Sequence, residues 1–199
     1  MLRVAVLIAS LLAADVTVAA AQTPTRIRGI IESATEQTLT IKSRNGQTVT
    51  VTLAPNFSVV IVSKASLGDI KSGSFVGAAA LPQPGGTFKA QEVVVFPEAM
   101  RGNNEGHYRW DLSPGSTKTN ATVDAMVSGV DGTTLTLKHK DDVVKVVIRP
   151  DVPIVTLGPG DKSLLVPGAG VFVPASRAAD GALSAGRVLV GKDGLMPPM

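Results

Sequence analysis

The stretches "QTLTIKSRNGQTVTVTLAPNFSVVIV" (residues 37–62) and "TTLTLKHKDDVVKVVIRPDVPIVTL" (residues 133–157) are two versions of one pattern. Leu39, Ile41 and Lys42 fall on Leu135, Leu137 and Lys138; after a one-residue deletion in the second hairpin, Pro55 meets Pro150 and Val60 meets Val155. The match continues downstream, where Gly73 in "IKSGSFVG" meets Gly168 in "LVPGAGVF". Further on, "GGTFKAQEVVV" aligns with "DGALSAGRVLV", placing Gly86 on Gly181, Ala90 on Ala185 and Val93 on Val188. Two copies of a unit of roughly 66 residues therefore fill most of the chain, and looking for such repeats comes before any other reading of a fold.

Within a unit the apolar period is two. Thr38, Thr40 and Lys42 alternate with Leu39 and Ile41, and Thr48, Thr50 and Thr52 with Val49, Val51 and Leu53, the mark of strands with one buried face. Arg44-Asn45-Gly46 and Pro84-Gly85-Gly86 supply the turns, glycine permitting the positive φ that tight hairpins need. The first copy predicts strands near 26–33, 38–42, 48–53, 58–62, 74–80 and 88–96, with a short helical turn after Ser66 that sets Leu67 and Ile70 as a barrel plug. The expected fold is all-β: two tandem small antiparallel β-barrels, OB-like with an SH3-like barrel as the alternative, joined by a long connector. The boundaries read as a leader at 1–21, a first barrel repeat at 22–96, a connector at 97–122, a second repeat at 123–191 and a tail at 192–199. A barrel of this size without disulfides buries a modest share of its surface, so docking of the two copies is expected to stabilise both.

The first residues, "MLRVAVLIASLLAADVTVAAAQTPT", carry Arg3, an apolar run from Val4 to Leu12 and small residues to Ala21. That run fits a secretory signal and is shorter than the roughly 20 residues of a spanning helix. Cleavage after Ala21 and a periplasmic destination are expected, with no membrane span after cleavage. The sequence has no cysteine, so it offers neither a disulfide framework nor a thiolate. Its net charge of +3 is scattered rather than clustered, and with few aromatics it lacks the footprint of a nucleic-acid binder.

The connector concentrates the chemistry. It holds the only tryptophan and the only tyrosine of the chain, Trp110 and Tyr108, beside His107. Loops beyond about 12–15 residues in compact proteins are functional, disordered or packed across something, and two large rings favour a strap lying in a groove between the copies. His107, Tyr108, Arg109, Trp110 and Asp111 are accordingly the candidate ligand-binding residues, for a small molecule, a peptide or an envelope protein. A metal site would use Glu98, His107 and Asp111, with Met100 as a thioether donor, although His107 has no histidine close to it in sequence. No nucleophile and base pair emerges from two histidines and no cysteine, and no cofactor motif stands out; "LGPGDKS" (157–163) lacks the spacing of a phosphate loop. The expected role is a non-catalytic exported binding or interaction module, the alternative a periplasmic metal-binding or transport-accessory protein.

"GIIESATEQTLTIKS", "SLGDIKSGSFVG", "GGTFKAQEVVVFPEAMRG" and the connector resemble an exported bacterial domain-of-unknown-function family with small OB-like barrels. The shared features are a first strand beginning at glycine, here Gly29, the Lys71-Ser72-Gly73 step before the fifth strand and a last strand after a glycine turn. Similar sequences are often labelled metal ABC transporter permeases. The chain contradicts that label, because a permease needs several spanning helices and this sequence has one short removable apolar segment. The resemblance implies the fold and export, and transfers no catalytic residue.

Overall fold

The structure is a computed structural model and describes residues 23–199; the expected leader and its cleavage point lie outside them. The described residues form twelve strands: β1 (Thr23–Ala34), β2 (Thr38–Ser43), β3 (Thr48–Ala65), β4 (Phe75–Pro82), β5 (Thr87–Val95), β6 (Gly106–Arg109), β7 (Thr117–Gly129), β8 (Gly132–His139), β9 (Asp142–Ile148), β10 (Ile154–Pro159), β11 (Gly170–Arg177) and β12 (Leu183–Gly191). The helical elements among the described residues are 3₁₀ turns of three residues, the first at Leu67–Asp69, where the Asp69 carboxylate accepts from both the backbone N–H and the hydroxyl of Ser66. No described helix is long and apolar enough to cross a membrane.

The all-β expectation holds, and the sequential arrangement of two self-contained antiparallel barrels does not describe the pairing. One closed five-stranded barrel is formed by β1, β2, β3, β12 and β11. β1 pairs antiparallel with β2 and with β11, β2 with β3, and β11 with β12, while β3 and β12 close the ring in parallel from Thr52↔Ser184 to Val62↔Gly191. The barrel is mixed rather than antiparallel, and it takes three strands from the first copy and two from the second. The other seven strands lie outside it. Among these, β4 pairs with β5 and β7, β8 with β7 and β9, and β5 meets β9 in parallel over three residue pairs. β10 bridges the two groups, antiparallel to β3 and parallel to β5, and β6 adds to β7.

The pairing between copies goes with the length of β3. The pattern predicts two strands, 48–53 and 58–62, yet the chain runs extended from Thr48 to Ala65. Pro55 is accommodated because the β12 register skips from Leu53 to Ser58, leaving the residues between unpaired where a missing N–H costs no ladder bond. This unbroken strand carries the chain away from β1 and β2, so the β4–β5 hairpin pairs with β7 rather than with its own copy. In the second copy Pro150 and Pro153 bracket a turn, and β9 and β10 stay separate.

Three apolar clusters among the described residues each mix side chains of both copies. Inside the barrel, Ile31, Leu39, Ile41 and Val51 of the first copy meet Val171, Val173 and Val188 of the second. Outside it, Val76, Ala78 and Val93 of the first copy meet Leu135, Leu137 and Val146 of the second. The predicted plug residue Ile70 belongs to this latter cluster, while Leu165, after the equivalent 3₁₀ turn of the second copy, belongs to the barrel. A third cluster, including Val62, Val94, Leu157, Phe172 and Leu189, lies between them. Gly29 of β1 lies so close to β2 that a Cβ would clash with the Lys42 carbonyl oxygen, which accounts for glycine at this point of the strand.

A chain ending at Ser116 would lack β11 and β12 and leave β1 and β3 without the partners that close the ring. It is expected to show no cooperative thermal transition by circular dichroism under conditions where the full chain does. A cooperative transition in the half chain would mean that the first copy closes on its own.

Candidate functional site

The connector from Pro97 begins with a 3₁₀ turn at Glu98–Met100, where the Glu98 carboxylate receives Arg101, whose Nη2 lies 2.7 Å from Oε2 and also donates to the Gly73 carbonyl at 2.9 Å. It then forms β6 along β7, with His107 opposite Thr119 and Tyr108 opposite Lys118. The residues from Thr117, which the sequence places at the end of the connector, are already strand β7. The turn at Ser113–Ser116 holds the exit: the Trp110 N–H donates to Ser116 O at 2.9 Å, and the Ser116 hydroxyl lies within hydrogen-bond range of the carbonyls of Trp110 and Ser113.

The period of two in β6 sorts the candidate residues onto two faces. Tyr108 and Trp110 turn inward, half-buried, with their rings edge to face at 6.1 Å; His107 and Arg109 lie on the opposite side and are exposed. His107 Nδ1 is 2.8 Å from Thr119 Oγ1 and its ring meets Phe88 edge-on at 5.0 Å. Burial and the charge of His139 lower its pKa against the opposing pull of Asp142, so the fold brings near it a histidine that is remote in sequence. Asp111 reaches across to β1, bonding Arg28 Nη2 at 2.7 Å and approaching Arg26 at 3.7 Å. Glu98, His107 and Asp111 are thus held by Arg101, Thr119 and Arg28 respectively, and no group of three or more His, Asp or Glu that could hold a metal occurs among the described residues. Met100 packs with Trp110 against the third apolar cluster.

Beneath the inward face lies a groove of about 740 Å³, within the size range of small-ligand sites. Its floor is apolar, with Val60, Leu157, Phe172 and Leu189, and its walls carry Tyr108 and Trp110 with Arg26, Lys118, Asn120 and Arg187. The guanidinium of Arg26 sits 4.0 Å from the Trp110 ring centroid and the Lys118 ammonium 5.4 Å, two cations on one π-system. Asn120 donates to Tyr108 Oη at 3.2 Å and to the Asn103 carbonyl at 3.1 Å. Burial raises the Tyr108 pKa, with Arg26 pulling it back, so the phenol stays protonated at neutral pH. Lys118 is also ion-paired with Glu92, both almost fully buried.

Tyr108, Trp110 and Asp111 were legible as candidates in the sequence, whereas Arg26, Glu92, Lys118, Asn120 and Arg187 were not, because they sit on strands whose pairing the repeat does not reveal. One signal was available: Glu92 of "AQEVVV" aligns with Arg187 of "AGRVLV", a reversal of charge at an equivalent strand position. No family model, curated protein or solved structure matches the chain.

Two outcomes follow from these ion pairs. Glu92→Ala leaves the buried Lys118 ammonium without its partner and is expected to destabilise the fold by about 3–5 kcal/mol, while a Glu92→Met, Lys118→Met double variant recovers most of that loss; urea denaturation of the three chains measures both. For Asp111, burial alone would raise the carboxyl pKa, but the Arg28 hydrogen bond and the charges of Arg28 and Arg26 together hold it below the ordinary value. The unfolded carboxyl therefore protonates first, and the stability Asp111 contributes is present above about pH 4 and lost as pH falls through the lower folded value. The stability gap between the native chain and Asp111→Asn is expected to close below that pH, as read from urea midpoints across an acid series.

Proposed function

We propose that the protein is an exported, non-catalytic binding module that takes a small ligand into the groove beneath its connector. The observation that carries this reading is the groove itself: an apolar floor, two aromatic rings and converging cations, held by a strap whose ends are tied down at Arg101 and at Ser116. Sites of this kind join a largely apolar surface to a few placed polar groups. On this reading the connector's aromatic cluster is at once a packing strap and one wall of the site. We read the wider architecture as two small OB-like barrels that have exchanged strands, the second built on the circuit of β4, β5, β9, β8 and β7; the groove then lies at the junction of the copies.

Native mass spectrometry of the chain purified from the envelope of its own cells is expected to show a non-covalent small-molecule adduct that is lost in Trp110→Ala. An adduct that survives Trp110→Ala would place the ligand elsewhere, and a chain free of adduct whose Trp110 emission responds to no envelope extract would overturn the reading.

A further inference from the structure

The strand registers relate the two sides of the groove. Ile30 faces Lys42 and Gly170 in the barrel, and Thr122 faces Lys138 and Phe75 outside it. Ile30 and Thr122 are therefore equivalent, and stepping back along both strands makes Arg26 the counterpart of Lys118. On the neighbouring strands, Arg26 faces Pro174 as Lys118 faces Ala79. One strand further, Phe172 pairs with Leu189 as Gly77 pairs with Val94, so Arg187 occupies the position of Glu92, which pairs with Ala79. The row Lys118–Ala79–Glu92 on one side is the row Arg26–Pro174–Arg187 on the other.

The chemistry of the two rows is opposite. On the first, a cation and a carboxylate neutralise each other out of water. On the second, two arginines occupy the equivalent strand positions. Both line the groove. Arg187 is exposed and makes no ion pair among the described residues. Arg26 stacks on Trp110 and lies 3.7 Å from Asp111, whose closer bond goes to Arg28. Glu105 is the sole acidic residue of the lining. Pro174, where the equivalent strand has alanine, sits in the stretch where the β11–β12 register is interrupted between Phe172 and Ser176.

Resting on the groove as the binding site, we infer that its ligand is an oxyanion carried on an apolar body, with a carboxylate or phosphate group between Arg26 and Arg187 and the body along Val60, Leu157 and Leu189. Guanidinium groups bind carboxylate and phosphate through paired N–H donors, and an arginine pair with a deficit of acidic neighbours selects such a group over a neutral one. Ala79 still pairs with Glu92 just before the β4–β5 ladder shifts, whereas the β11–β12 ladder is already interrupted at Pro174 and Arg187.

Trp110, the single tryptophan, reports on the groove. Decanoate, decyl phosphate, decanol and inorganic phosphate are titrated into the full chain below their aggregation limits while its emission is followed. Decanoate, decyl phosphate or both are expected to bind saturably, at least about tenfold tighter than decanol, with inorganic phosphate weaker than either amphiphile. The tighter of the two amphiphiles distinguishes a fatty-acid-like source from a phospholipid-derived one. Arg187→Met is expected to abolish the preference over decanol, and Arg187→Lys to retain part of it, with both variants melting as the native chain does. Decanol binding as tightly as the anions, or an unchanged preference in Arg187→Met, would overturn the anion assignment and leave the groove reading standing. Silence from all four probes would also overturn it, and the adduct measurement then decides the groove reading separately.

Discussion

The parallel pairing of β3 with β12 is the contact on which the arrangement depends. It joins a strand of the first copy to the last strand of the second and closes the barrel between segments more than a hundred residues apart. A parallel pair cannot be made by a hairpin; it needs a crossover, and here the crossover is nearly the whole intervening chain. Loop-closure entropy grows only slowly with length, so this long excursion costs little more than a short one at equilibrium. Its consequence is kinetic, since strands that meet late in sequence must wait for the rest of the chain to be arranged.

Once β3 and β12 are paired, neither copy retains its own last hairpin, and the connector is obliged to travel. It leaves β5 on the outer strands, lays β6 along β7 and reaches β1 of the barrel through Asp111 and Arg28. The third apolar cluster is the material of that crossing: Val62 and Val94 from the first copy, Leu157, Phe172 and Leu189 from the second, with Met100 and Trp110 of the connector packed against them. Trp110 suits this place because a large ring covers apolar surface while its face accepts the charge of Arg26. The groove is what the strap leaves uncovered.

Much of the local structure could be read from the sequence, and the long-range structure could not. The alternation at Leu39, Ile41 and Val51 marks inward positions, and each of these is fully buried. Gly46 and Gly86 take the positive φ expected of hairpin turns. The period of two, however, says which face of a strand is buried and nothing about which strand lies beside it. Leu39 would look the same in a barrel closed by β4 and β5 as in one closed by β11 and β12. What decides between them is the continuity of β3 through Pro55, and a proline reads as a strand end unless the ladder happens to be open at that point. The site shows the same divide. Trp110 and Tyr108 stand out by rarity, whereas Lys118 and Arg26 become partners of Trp110 only through the pairings of β6 with β7 and of β1 with β11.

A duplicated chain whose copies pair with each other places equivalent residues on opposite sides of one junction, so a change in one copy alters one wall of a shared space. Glu92 and Arg187 are such a pair of positions. The carboxylate at Glu92 can remain fully buried because Lys118 is beside it, and removing either partner would leave an uncompensated charge out of water. At the equivalent point a second carboxylate would have neutralised Arg26 and closed the junction in the same way. Arginine there does the opposite, keeping the position solvated and its charge uncompensated, so the asymmetry between the copies, rather than either copy alone, gives the groove its sign.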